Sequence, residues 1–256
     1  MKKKNTILIA AVAAVVIGGA GAYAWFDRYV GNNVEIESVL SPLAGEAAAE
    51  PDSVATAEAG AANAEGGTET NGSAAQNDTD SDLASLDGLW NISGESKVYW
   101  SVTTSRETVN FVNEAVKGSW NVNTNDAGAM TGEAVLDMTA LDSGNGQRDG
   151  HVKSADYLDT DTYPEAAFTA QSISALPAEW AEETAADIEI SGILTVKGVE
   201  KEVTFAGQAM HRDGQLLLSA TTRVTFGDFG MANPHTVVLE TENDLNVQLE
   251  LVLDKS

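Results

Sequence analysis

The chain contains no cysteine among its 256 residues. That absence excludes disulfides, thiolate metal sites, a cysteine nucleophile and a lipid anchor on an N-terminal cysteine. Basic side chains are also scarce, with 14 Lys and Arg against 39 Asp and Glu and a formal net charge of −25. Such a surface repels a polyphosphate backbone, so nucleic acid is not an expected partner. It is equally held off an anionic leaflet unless something anchors it. Three scattered histidines, His151, His211 and His235, leave little for zinc, and neither a metal nor a cofactor is expected. No repeat at solenoid or propeller periods is visible.

What is present divides by region. Thr6 to Phe26 is an uncharged run of 21 residues, TILIAAVAAVVIGGAGAYAWF. As a helix it is about 30 Å long, enough to cross a bilayer core. Lys2, Lys3 and Lys4 precede it and Asp27 follows. The positive-inside rule then places the amino terminus in the cytoplasm and the remainder outside, with Trp25, Phe26 and Tyr29 as an interfacial belt. A cleaved signal peptide, with Ala22-Tyr23-Ala24 as the cleavage site, is the competing reading. Both export the rest of the chain. The expected organisation is therefore an anchor or signal over 1–30, an acidic Ala/Gly/Glu-rich disordered linker over 31–82, and a domain over 83–256.

The linker reading rests on composition. Val54 is the one large apolar residue between 44 and 82, too little to offset the entropy of ordering. As a flexible coil, Asp27 to Asp82 reaches roughly 40 Å. Within it, VEIESVLSPL (Val34 to Leu43) is short and amphipathic and reads as a frayed extension of the helix.

From Leu83 onward the pattern is two-residue alternation bounded by Gly, Asn and Asp, the signature of antiparallel strands with one apolar face. In the clearest strand Leu245, Val247, Leu249, Leu251 and Leu253 share one face while Asn246, Gln248 and Glu250 share the other. Similar segments, from Val98–Val102 to Leu216–Phe226, bring the expected total to about eight to ten strands. One-faced strands in that number favour closure, which removes exposed edges. The alternation breaks over Arg148 to Pro164, where a helical turn is expected near Ser154 to Leu158, and again over Pro177 to Asp187.

Three stretches now resemble the YceI-like family of lipid- or polyisoprenoid-binding, lipocalin-like domains. The first is Arg148-Asp149-x-His151-x-Lys153-Ser154-x-Asp156-Tyr157-Leu158-Asp159 with Tyr163-Pro164-x-Ala166-x-Phe168. The second is the hairpin from Gly192 through Gly198 to Phe205, and the third is Asp228-Phe229-Gly230-Met231 with Pro234 and a long last strand. They occur in the family's order across nearly all of 88–254. Phe226-Gly227 stands where many members carry Arg before the D-F-G triplet, Glu202 replaces a proline, and Ala166 replaces a larger residue.

The resemblance implies an all-β fold: a closed antiparallel barrel of about eight strands with a short helix, holding a long apolar ligand such as a polyisoprenoid, an isoprenoid quinone or a fatty amide or acid. If the apolar parity faces inward, the lumen candidates are Val98, Trp100, Val102, Phe111, Trp120, Leu136, Met138, Phe168, Ile190, Leu194, Phe205, Leu218 and Leu249. Burial of an acyl or isoprenoid chain at about 25 cal/mol per Å² needs no charged contact. Each candidate has the plainer reading of core packing. Arg148 and His151 could form a polar mouth that meets a head group. Alternatively, Arg148 pairs with an acidic neighbour and Asp149 caps the next turn. No nucleophile is placed by motif to use His151 as a base, so an enzyme is not expected. Asp156, Asp159 and Asp161 lack the spacing of a calcium loop. The leading expectation is a membrane-tethered extracytoplasmic binding module; the alternative is an envelope structural or interaction domain with a filled barrel.

Overall fold

In the computed structural model, residues 34–41, 83–234 and 240–256 are described. The apolar span 6–26, the rest of the linker and His235 lie outside the described residues. Among those described, no helix is long and apolar enough to cross a membrane.

The alternating segments form ten antiparallel strands: β1 (Gly88–Ile92), β2 (Lys97–Thr104), β3 (Thr108–Asn113), β4 (Val116–Val122), β5 (Thr131–Asp137), β6 (Glu165–Ile173), β7 (Ala186–Val196), β8 (Val199–Arg212), β9 (Gln215–Thr225) and β10 (Thr241–Lys255). Pairing runs from β1 to β4, then in order through β10 and back to β1, which closes a barrel of eight strands. Strand β10 is shared. Its last residues pair with β1, its earlier ones with β2, so the β2–β3 hairpin extends the sheet beyond the ring.

Two tight connections fix register. Lys197 and Gly198 (φ +53° and +72°), and Asp213 and Gly214 (φ +52° and +78°), supply the paired positive φ of two-residue hairpin turns. Their twist matches that of the flanking strands. A one-residue slip would send every inward side chain to solvent.

Inside, large residues lie opposite small ones. Trp120 pairs with Gly132, and Ala134 pairs with Phe168. A Cβ on Gly132 would come within 2.6 Å of the Trp120 ring, so the glycine is what lets the indole lie flat across the interior. Phe168 meets Phe205 edge to face, ring centroids 5.3 Å apart, a favoured aromatic geometry.

The helix differs from expectation. It spans Gly146–Lys153 (α1), ahead of the Ser154 to Leu158 turn the sequence suggested. Asn145 accepts from the Gln147 and Arg148 N–H groups at 3.2 and 3.3 Å, supplying the cap expected of Asp149. Ser154 ends the helix instead of starting it.

The larger difference concerns Val34 to Ser41, read from sequence as a frayed helix within the linker. Here residues 34–38 are neither helix nor strand, a turn closed by the Ser41 N–H on the Ser38 carbonyl follows, and the segment is laid as a strap across the outer face of the barrel. Asn110 on β3 donates to the Val34 carbonyl at 3.0 Å, Glu37 N–H donates to the Tyr99 hydroxyl at 3.3 Å, and Val39 N–H donates to Glu250 Oε2 at 2.8 Å. Val39 and Leu40 cover Met210, Leu217 and Val252. These three are register neighbours on β8, β9 and β10.

Candidate functional site

Every lumen candidate except Val102 is buried, and half-buried Val102 packs against the same core. The parity argument therefore identified inward residues. They do not all surround a space, however. Among the described residues, a cavity of about 50 Å³ lies at one end of the barrel, and of the thirteen candidates Trp120, Ile190 and Leu218 line it. Val98, Trp100, Phe111, Leu136, Met138, Phe168, Leu194, Phe205 and Leu249 fill the interior beyond it.

That end is opposite α1. It gathers the last residues of β4, β6, β8 and β10 and the first of β5, β7 and β9. The loop over 174–185 crosses it, and there Trp180 and Leu176 join the lining. Trp180 is buried, its indole N–H donating to the Thr184 carbonyl at 2.7 Å. The His211 ring stands edge-on to it at 4.9 Å, and His211 Nε2 lies 2.9 Å from the Trp180 carbonyl. Sequence reading treated this segment as a polar excursion. The signal it missed is a tryptophan inside an otherwise polar loop, since a large apolar ring there needs a surface to bury against.

Arg148 and His151 do not form one site. Arg148 is buried, donating through Nε to Ser143 Oγ and through a terminal nitrogen to the Ser143 carbonyl, both at 2.9 Å, with its guanidinium 5.8 Å from the Phe111 ring centroid. Asp149 accepts from Ser143 N–H at 3.0 Å and from its hydroxyl. This buried cluster pins α1 across the barrel end. His151 is exposed on the helix, its ring edge-on to Tyr157 at 4.8 Å.

The second and third motif stretches meet at the α1 end. Lys201 on β8 donates to Asp228 Oδ1 at 2.6 Å, and Thr225 N–H donates to Oδ2 at 2.8 Å. The Lys201 ammonium holds the Asp228 carboxyl below the usual carboxylate range. A lowered folded pKa stabilises the fold above the unfolded value, about 3.9, and that contribution is lost as pH falls through the folded one. Lys201 is part exposed, so Lys201→Met is expected to cost under about 1 kcal/mol at pH 7. It should also flatten the decline in stability below about pH 4. Urea unfolding at pH 7 and at pH 3 checks both; an unchanged acid limb contradicts the assignment.

Among the described residues, two interior donors have no partner. The indole nitrogens of Trp100 and Trp120 are buried without an acceptor, a rare condition in folded proteins. The interior around them is mostly apolar, with Thr222 of β9 and Asn113 of β3 as buried polar residues on the inward parity, and among the described residues no cluster of His, Asp and Glu could hold a metal ion.

The sequence matches the YceI-like domain over residues 90–253. A UPF0312 protein of Pseudomonas putida (strain GB-1) is 32% identical over 119 residues, 44% of this chain and 58% of that relative. Protein YceI of Escherichia coli O17:K52:H18 is 38% identical over 69 residues, 27% of this chain and 32% of that one. These matches span less than two thirds of each relative's length. Among solved structures, BcnA of Burkholderia cenocepacia aligns with a TM-score of 0.55 at 18% identity, covering 63% of this chain and 98% of its own. A polyisoprenoid binding domain from Saccharophagus degradans, implicated in plant cell wall breakdown, aligns with a TM-score of 0.54 at 14% identity, covering 66% and 99%. At those identities the structural likeness concerns the fold. Barrel, motif order and a family match across most of the domain agree: the chain belongs to the YceI-like family.

Proposed function

We propose that this protein is a non-catalytic binding module that holds an apolar ligand, of the polyisoprenoid, isoprenoid quinone or fatty amide or acid class, inside the barrel, exported from the cytoplasm and tethered to the membrane by residues 6–26. The observation that carries the reading is a closed barrel whose inward-facing positions are mostly apolar, Thr222 and Asn113 being exceptions, yet which keeps two indole donors unsatisfied. A core selected for packing alone has no use for such donors, since phenylalanine fills similar space without the cost. The fold is shared with a polyisoprenoid binding domain. Tethering rests on the uncharged 21-residue run behind Lys2, Lys3 and Lys4; a cleaved signal would leave the same module free outside the cytoplasm.

A small cavity favours a second reading, a filled barrel acting as an envelope interaction domain. Ligand pockets usually measure about 300–1,000 Å³, so a long chain must displace packed side chains or enter by opening the 174–185 loop. Titrating a short polyprenol into the full-length chain separates the two. Binding is expected to quench tryptophan emission saturably at about one molecule per chain, because Trp120 and Trp180 line the cavity. No saturable quenching, with the fold intact by circular dichroism, favours the filled barrel.

A further inference from the structure

We propose that the 174–185 loop is the gate through which the ligand enters and leaves the barrel, with Trp180 as its plug and His211 as its latch. The assignment rests on the binding reading above and specifies the route. The wall offers none, because every strand of the ring is hydrogen-bonded to both neighbours. The α1 end is closed by buried polar bonds, the Arg148 side chain and the Asp149 carboxylate both meeting Ser143, which is itself fully buried. Breaking them strands charged groups in an apolar interior. The opposite end is closed differently. Between 174 and 185, Trp180 is the one buried residue, and it lines the cavity with half-buried Leu176 beside it. The rest of the lining is apolar apart from Asn121, an exposed residue of β4.

The loop is built to lift as a unit. The Trp180 indole N–H donates to the Thr184 carbonyl at 2.7 Å, and the Thr184 N–H donates to the Ala181 carbonyl at 3.2 Å. Both acceptors belong to the loop, so withdrawing the ring leaves neither donor stranded. Among the described residues, three hydrogen bonds tie 175–185 to the barrel, all at the β8–β9 hairpin. His211 Nε2 meets the Trp180 carbonyl at 2.9 Å, Glu183 N–H donates to the His211 carbonyl at 2.9 Å, and Asp213 N–H donates to Glu182 Oε1 at 3.0 Å. A carbonyl only accepts, so His211 Nε2 carries the proton and donates. Glu183 is held at φ +59°, a left-handed conformation that costs an L-residue energy and that opening releases. Glu182, Glu183 and Asp213 are exposed, so water takes over these bonds as the loop lifts. Opening therefore forfeits the burial of Trp180 and Leu176 and little else, the profile of a segment that opens locally while the barrel stays folded.

Geranylgeraniol, a short polyprenol, mixed with the full-length chain in stopped flow and followed by tryptophan emission, gives the association and dissociation rates. His211→Phe keeps an aromatic ring against the indole and removes the latch donor. It is expected to raise both rates about fivefold, the worth of one hydrogen bond. Kd should stay unchanged, because the free and bound forms close over the same latch. Glu182→Ala removes an exposed tie without touching the core and should raise both rates about twofold. Ser143→Ala loosens the α1 end and should alter neither. Three results overturn the gate while leaving apolar binding in place: rates unmoved by both loop variants, faster dissociation alone with a weakened Kd, or faster exchange in Ser143→Ala and not in the loop variants. No saturable binding of geranylgeraniol by the parent chain, folded by circular dichroism, overturns the binding reading and the gate with it.

Discussion

Gly207→Val is expected to cost at least about 3 kcal/mol or to prevent folding altogether. An ideal Cβ at Gly207 lies 2.1 Å from the Ser219 carbonyl oxygen and 2.5 Å from the Ala220 Cα. Those are backbone atoms of β9, so no rotamer change relieves the overlap, and the strands must part at Gly207, which pairs with Ala220. Overpacking a side chain into a core costs about 1–3 kcal/mol; forcing apart a barrel corner adds lost ladder hydrogen bonds and opens the ring. The glycine is there because a closed sheet of eight strands must bend tightly somewhere. Urea midpoints compare this variant with Gly94→Ala, whose Cβ meets nothing within 4 Å and which should change stability by less than about 0.5 kcal/mol. Equal midpoints for the two would refute the close-approach argument.

Glu250→Ala is expected to cost about 2–3 kcal/mol and to release the strap. Glu250 is 1% exposed although it lies on the outward parity of β10. Its carboxylate accepts from Val39 N–H at 2.8 Å, from the Ser219 hydroxyl at 2.7 Å and from the Gln248 amide. Without it three donors lose a charged acceptor and Val39 loses its strongest tie to the barrel. Once the strap lifts, water reaches the donors and limits the loss. Two results are expected together: a lower urea midpoint and rapid protease cleavage within 34–41, with Glu250→Gln intermediate because it keeps one acceptor oxygen. Cleavage no faster than in the parent chain would mean that the strap is held without Glu250, by its bonds to Asn110 and Tyr99 and its packing on Met210, Leu217 and Val252.

These two sites show where sequence reading succeeded and where it stopped. Strict alternation in Leu245 to Leu253 placed β10 and its inward face correctly, because a period of two is a local property of a half-buried strand. The inward set followed, and so did closure. The strap was not legible in the same way. Nothing within VEIESVLSPL dictates its docked path; its partners, Asn110, Tyr99 and Glu250, lie 62 to 211 residues away in the chain. A signal did exist on the other side of the contact. Tyr99, Met210, Leu217 and Val252 are apolar residues on the outward parity of neighbouring strands, and such a row on a barrel exterior implies a cover. For the site, residue type misled. Arg148 and His151 drew attention as polar groups in a motif, yet the helix they occupy buries one in structural bonds and exposes the other. Trp120, a lumen candidate by parity, does line the cavity, where it is joined by Trp180 from a segment read as a polar excursion.

Under the proposed tether, the docked segment changes how the barrel is carried. With 34–41 docked on the barrel, the seven residues from Asp27 to Asn33 connect the apolar span to it, a reach of about 25 Å when extended. Residues 42–82 join two segments that both pack on the barrel, and so add nothing to its distance from that proposed tether. The roughly 40 Å reach expected of a free linker applies only when the strap is released.

The central claim is that the barrel interior takes up an apolar molecule, and the most direct measurement is the native mass spectrum of the full-length chain isolated in mild detergent, before and after organic extraction. Ligand uptake predicts a discrete added mass on the isolated chain, about one molecule each, which extraction removes and which an isoprenoid or acyl compound restores. A spectrum at the bare chain mass in both states, with no uptake of any such compound by a folded barrel, would contradict it.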